Sequence, residues 1–149
     1  MTGAPKGPLV GIRAIEVGQL LAGPFVGSRL ADFGAEVIKV EPPVKGDPMR
    51  EWGHHRHEGH SLWWPTLARN KKSVTANLRD PRGRDLVRRL LKDSDAMVEN
   101  FKPGTLEKWG MGPDDLHAEN PRLVIVRVSG YGQTGPYSDR PGFASVGEA

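Results

Sequence analysis

Gly18-Gln19-Leu20-Leu21-Ala22-Gly23-Pro24, running through residues 25–33 into Gly34-Ala35-Glu36-Val37-Ile38-Lys39-Val40-Glu41, is the stretch that decides the fold. The apolar run before it, residues 12–17, reads as a first strand. Gly23-Pro24 supplies a tight turn with proline at the first helical position, where its missing N–H costs nothing. A short helix over residues 25–33 follows, Gly34 fits a left-handed stop, and residues 35–41 read as a second strand. Strand, glycine turn, helix, glycine stop and strand make a βαβ unit. A helix N-terminus aimed out of the carboxyl edge of a parallel sheet presents free N–H groups and a partial positive charge, so the unit predicts an anionic ligand.

The rest of the chain repeats this grammar. Residues 72–78 are a strand candidate, and Asp80-Pro81 starts a helix over 82–92 with Leu86, Val87, Leu90 and Leu91 at helical spacing. Residues 95–100 form a short apolar strand. Lys102-Pro103-Gly104 then turns the chain into one or two helical turns at 105–109, with Thr105 placed to cap them. Residues 113–118 give a further helix with Asp114 and Asp115 in its first turn, and residues 123–128 a last strand. Strands alternating with helices at this spacing predict an α/β fold, a doubly wound, mostly parallel, Rossmann-like sheet with helices on both faces.

Three segments carry candidate chemistry. Residues 44–70 are expected to be an irregular connection, its tryptophans Trp52, Trp63 and Trp64 packed beneath a solvated loop. Within it His54, His55, His57 and His60 invite a metal reading, but no cysteine exists to complete a site and no metal is predicted. Asn100 and Phe101 end a strand at the carboxyl edge, where they can offer an amide and a flat face to a base or simply pack. Ser129-Gly130-Tyr131-Gly132-Gln133-Thr134-Gly135-Pro136-Tyr137 follows the last strand, either lining the ligand crevice with backbone N–H groups or forming a loop that needs positive φ.

Composition narrows the ligand further. The 149-residue chain is 37% hydrophobic and 26% charged, the profile of one ordinary globular domain. No apolar run approaches the roughly 20 residues of a membrane span, and the opening residues lack the apolar centre of a signal peptide. The absence of cysteine excludes disulfides and a thiol nucleophile, and a cytoplasmic location is the default expectation. A net charge of +3, with acids and bases interleaved, disfavours a nucleic-acid surface and suits one small polyanion. Residues 1–7 are expected to be a flexible terminus, with the domain occupying 8–149.

Several motifs together carry a family resemblance. Leu21-Ala22-Gly23-Pro24, Leu30-Ala31-Asp32-Phe33-Gly34-Ala35-Glu36-Val37-Ile38-Lys39-Val40-Glu41, Gly46-Asp47 with Arg50, Asn70-Lys71-Lys72-Ser73, Val98-Glu99-Asn100-Phe101-Lys102-Pro103-Gly104 and the Ser129 to Tyr137 cluster occur here in order. This series resembles the start of the family III CoA-transferases, a family that includes formyl-CoA transferase, carnitine CoA-transferase and alpha-methylacyl-CoA racemase. The resemblance implies transfer of coenzyme A between an acyl-CoA and a small carboxylic acid through an aspartyl-CoA thioester. It also implies a CoA-binding set of Leu20, Leu21, Ala76, Arg79, Asn100, Phe101 and Lys108, with Arg79 and Lys108 toward the phosphates. No metal, nucleic acid or membrane is implied.

The resemblance further implies that the family's aspartate lies beyond Ala149, in the remainder of a large domain belonging to an interlaced homodimer. No acid of this chain matches it, so the catalytic set here is empty. Residues 143–149 read as a helix without a C-cap, and the isolated chain is expected to be marginally stable, self-associating and inactive. Leu21 and Pro42 replace a glutamine and an arginine of formyl-CoA transferase, and Phe143-Ala144 stands where the racemase branch has His-Asp, so a general transferase is preferred. Two alternatives remain open. One is a non-catalytic CoA-binding subunit or short paralogue; the other, a dinucleotide oxidoreductase, lacks its Gly-x-Gly-x-x-Gly pattern.

Overall fold

The opening unit folds as strand β1 (Arg13–Glu16), helix α1 (Ala22–Asp32) and strand β2 (Glu36–Glu41). The computed structural model describes residues 7–143. After β2 come a 3₁₀ turn (Pro48–Glu51), a hairpin of β3 (Arg56–His57) and β4 (His60–Ser61), and helix α2 (Trp63–Ala68). The chain continues through β5 (Lys71–Thr75), α3 (Pro81–Lys92), β6 (Ala96–Glu99), α4 (Thr105–Lys108), α5 (Pro113–Glu119) and β7 (Val124–Arg127).

Five strands lie in one sheet in the order β5-β2-β1-β6-β7, every pairing parallel. Ile15 sits opposite Ile38 on one side and Met97 on the other, so the register stacks apolar residues across the sheet centre. The chain works outward from β1 to β5 and then returns to place β6 on the far flank of β1. That reversal creates a crevice between the carboxyl ends of β1 and β6, the usual ligand position in open α/β sheets.

The two faces are packed differently. On one, Ile15, Val17, Val40 and Met97 meet Val87 and Leu91 of α3, Leu106 of α4 and Leu116 of α5, with Met111 and Leu123 completing the cluster. Many of these side chains are fully buried, and each is worth about 1.5–3 kcal/mol relative to exposure. The other face carries small residues, Ala14 and Val37 against Ala31 and Ala35. Helix α1 can lie close there because its inner face is Gly23, Gly27, Ser28 and Ala31, all buried. A Cβ on Gly27 would stand 1.9 Å from Glu16 Oε2, so only glycine permits this approach.

Local signals explain the ends. Gly34 at φ 100° closes α1, with Gly34 N–H bonded to Ala31 O and Ala35 N–H to Leu30 O, the double bond of a Schellman stop. Asp80 caps α3 by accepting from Arg82 N–H at 2.9 Å, and Asp115 accepts from Gly112 N–H at the start of α5.

Four sequence expectations need correction. Residues 44–70 are not irregular: the 3₁₀ turn, hairpin and α2 fill most of the span, because Asp47 caps the turn through Met49 N–H and Gly59 at φ 81° permits the tight hairpin. Trp52 and Trp63 are not packed beneath a loop but are 43% and 47% exposed, since the hairpin is too small to cover them. Pro24 is the third residue of α1, because the helix begins one residue before Gly23. Thr105 does not cap α4; Gly104, left-handed at φ 80°, holds that position and no side chain caps it. The proposed helix at 143–149 lies, apart from Phe143, outside the described residues.

Candidate functional site

At the carboxyl edge of the sheet lies a cleft of about 680 Å³. Val17 and Gln19 follow β1, Pro42 and Pro43 follow β2, Ala76, Asn77 and Arg79 follow β5, and Phe101, Thr105 and Trp109 close the β6 side. Phe101 and Trp109 meet edge to face with ring centroids 5.5 Å apart, giving a rigid aromatic corner. Arg79 is exposed, and among the described residues its guanidinium takes no ion pair. Only its backbone is held, N–H by Asn77 Oδ1 and O by Arg84. The cleft thus joins an apolar wall, an edge-to-face ring pair and an uncommitted cation.

The seven residues expected to bind ligand do not all gather there. Ala76, Arg79 and Phe101 line the cleft. Leu20 and Leu21 form the loop beside it, Leu20 at φ 62° and Leu21 as the N-cap of α1. Asn100 is turned inward: its Oδ1 accepts from Gln19 N–H at 2.8 Å and its Nδ2 donates to Gln19 O at 2.9 Å. Its amide packs so tightly on Gly18 and Gly23 that a Cβ on either would lie 2.6 or 3.0 Å from Oδ1. Lys108 is exposed at the end of α4, outside the cleft lining. The four histidines 54, 55, 57 and 60 are exposed on the hairpin, and no group of three metal-ligating side chains converges among the described residues.

Two carboxylates stand at the edge of the cleft, and both are engaged. Glu41, 1% exposed, accepts from Arg50 Nε and NH2 at 2.7 and 2.8 Å, Ser73 Oγ at 2.6 Å and Asp47 N–H at 2.9 Å. Burial alone would raise its pKa, but Arg50, Ser73 and the Asp47 amide outweigh it and pull the carboxyl from 4.5 down to about 2. Glu99 is fully buried and its carboxyl is pushed up by that burial, opposed by Arg127 at 2.8 Å and the Phe101 N–H. Arg127 also reaches Glu107, tying the Phe101 loop to α4.

Beneath the loop lies a buried ionic cluster that the sequence reading did not pick out. Lys39 Nζ sits 2.8 Å from Glu16 Oε1, 2.7 Å from Asp47 Oδ2 and 3.0 Å from Gly18 O. Lys71 Nζ sits 2.6 Å from Glu16 Oε2 and 2.7 Å from Pro24 O. Burial pulls the Lys71 ammonium down, opposed by Glu16. A signal was present: Glu16 and Lys39 fall on the same inward parity as Ala14 and Val37, where a solvated charge has no place.

The parallel α/β sheet thus carries at its carboxyl edge a cleft with an aromatic corner and an exposed arginine. Residues 9–149 match the model of CoA-transferase family III, and the chain belongs to that family. It is 64% identical over 97% of its length to succinyl-CoA–D-citramalate CoA-transferase of Chloroflexus aurantiacus. It is also 51% identical over 95% of its length to the beta subunit of succinyl-CoA–L-malate CoA-transferase from the same organism. The chain spans only 36% and 35% of those two proteins. The crystal structure of a CAIB/BAIF family protein from Brucella suis superposes with a TM-score of 0.88 at 43% identity, covering 95% of this chain and 38% of that one. No helix among the described residues is long and apolar enough to cross a membrane.

Proposed function

We propose that the cleft binds coenzyme A as part of a transferase that moves CoA between an acyl-CoA and a small or dicarboxylic acid. The observation that carries this is the free Arg79 guanidinium at the rim of a cleft with an apolar wall and an aromatic corner. CoA has a flat base, a 3′-phosphate and a pyrophosphate, and arginine meets phosphate through paired charge-assisted bonds. Ala76 and Phe101 line the base side, Leu20 and Leu21 the loop beside it, Asn100 fixes that loop, and Lys108 adds a second cation within reach of an extended ligand. The enzyme works in the cytoplasm as an interlaced homodimer, without a metal.

The chemistry follows the family pattern. A carboxylate attacks the thioester carbonyl, forming a mixed anhydride and releasing CoA thiolate. The thiolate then attacks the enzyme's carbonyl carbon, giving an aspartyl-CoA thioester and the free acid, and the acceptor carboxylate reverses the two steps. The family resemblance assigns the nucleophile to an aspartate that no acid of this chain matches, and on that reading these residues bind CoA without turnover. A second reading, a CoA-binding subunit paired with a longer chain, is favoured by the likeness to a relative that is itself named as a subunit.

Calorimetric titration with CoA tests the binding. We expect saturable binding that Arg79→Ala weakens about three- to tenfold, the effect of a partly solvated charge-assisted bond. Binding of NAD in preference to CoA, or an unchanged affinity in the variant, overturns the reading.

A further inference from the structure

The loop at residues 18–20 makes almost no regular secondary-structure bonds, yet its backbone is held at three successive residues by side chains from three different parts of the fold. Lys39 of β2 donates to Gly18 O. Asn100, just past β6, takes both Gln19 N–H and Gln19 O. Asp47, just before the 3₁₀ turn, accepts from Leu20 N–H through Oδ1 at 3.1 Å. Leu20 is left-handed at φ 62°, a conformation an apolar L residue adopts only when its surroundings impose it.

Asp47 is 1% exposed and is the junction of this arrangement. Its Oδ1 also accepts from Met49 N–H at 2.8 Å, its Oδ2 faces Lys39 at 2.7 Å, and its own N–H donates to Glu41. Gly46, at φ 69°, lets the chain fold back so that Asp47 reaches under the loop. Burying Lys39, Glu16, Lys71 and Asp47 together is not an economical way to stabilise a core, since apolar packing of the same volume does as well or better. What the cluster does supply is fixed direction. It holds a strained loop in one conformation, with Gln19 on the cleft wall.

We propose that Asp47 and Lys39 are positioning residues for the cleft. They act through the backbone of residues 18–20, and ligand affinity depends on the Asp47 Oδ1 to Leu20 N–H bond rather than on any contact between Asp47 and ligand. This rests on the CoA reading of the cleft. Loop order already present before binding lowers the entropic cost of fixing it around the ligand.

The test compares Asp47→Asn with Asp47→Ala, using CoA as the probe. Both variants remove the charge facing Lys39, but only the asparagine keeps an acceptor for the Leu20 and Met49 N–H groups, so their difference reads these two bonds, and exchange at Leu20 reports its own. Alanine is expected to bind CoA roughly tenfold or more weakly than asparagine, the scale of a lost bond to a buried amide. Asn120→Ala is the structural control: Asn120 Nδ2 bonds Leu91 O and Ser94 O far from the cleft, so that variant loses stability and keeps its CoA affinity. In the wild-type chain, amide exchange at Leu20 and Gln19 should be slowed at least tenfold relative to the exposed hairpin amide of Gly59, with Leu20 protection lost in the alanine variant and kept in the asparagine one. If alanine and asparagine bind CoA equally, or if Leu20 exchanges as fast as Gly59 in the wild type, the positioning role is wrong. Should Asp47→Ala not fold, wild-type exchange at Leu20 decides alone. A wild-type chain that protects Leu20 but does not bind CoA defeats the CoA reading instead, and the two failures are thereby told apart.

Discussion

Replacing Glu41 with glutamine removes one charge at nearly constant shape, so the pH dependence of stability isolates what this carboxylate contributes. In the fold it receives four donors and is pulled from 4.5 to about 2. At about 1.4 kcal/mol per tenfold change in proton affinity, that displacement corresponds to about 3 kcal/mol at neutral pH. Water around the 39% exposed Arg50 side chain screens part of it, leaving about 2 kcal/mol. The folded pKa lies below the unfolded one, so the stabilisation is complete above about pH 4.5 and is lost as pH falls toward about 2. Roughly 1 kcal/mol is gone by about pH 3.5. Urea unfolding followed by tryptophan fluorescence is a direct assay, because Trp64 lies under the Arg50 guanidinium at 3.8 Å. Wild type should exceed Glu41→Gln by about 2 kcal/mol at about pH 7, and the gap should narrow by roughly 1 kcal/mol at about pH 3.5. A gap that stays constant across this range refutes the coupling of Glu41 to Arg50, Ser73 and Asp47.

Three further outcomes follow from the packing. Gly27→Ala should cost about 1–3 kcal/mol, because its Cβ would displace Glu16 from Lys71; thermal melts with retained stability would show that α1 can slide instead. Leu106→Ala, fully buried between α4 and the sheet, should cost about 2–5 kcal/mol in urea unfolding, and a loss below about 1 would mean the site collapses freely. Arg127→Met leaves Glu99 buried without its guanidinium and should cost about 3–5 kcal/mol at neutral pH. Because burial already holds the Glu99 pKa above its ordinary value, the folded state gains its proton first and the deficit should shrink as pH falls; a deficit independent of pH would contradict the buried charge.

Much of the fold could be read in the chain because its signals are local. Gly34 stops α1, Asp80-Pro81 starts α3, and the apolar stripe from Leu86 to Leu91 faces the sheet, each decided within a few residues. The segment from Val44 to Asn70 was harder. Its histidines and tryptophans show no period, and its order comes from side-chain bonds to the backbone, Ser28 to Leu67 O from outside the segment and Ser61 to Trp52 O within it. Of the residues that the family resemblance implied, Ala76, Arg79 and Phe101 line the candidate cleft. Asn100 reads from sequence as a ligand amide or as packing, and its amide bonds the backbone of Gln19, 81 residues away, a pairing that no spacing rule reports. In the buried cluster, strand parity signals Glu16 and Lys39, whereas Asp47 and Lys71 join it through pairings that no spacing rule reports.

The central claim is that CoA occupies the carboxyl-edge cleft, and chemical-shift mapping of the labelled chain during CoA titration tests it most directly. Perturbed amides should cluster at Gln19, Leu20, Ala76, Asn77, Arg79 and Phe101, with none at the opposite edge of the sheet near Arg13, Glu36 and Asp95. Shifts concentrated at that opposite edge, or no saturable shifts at all, would contradict the claim.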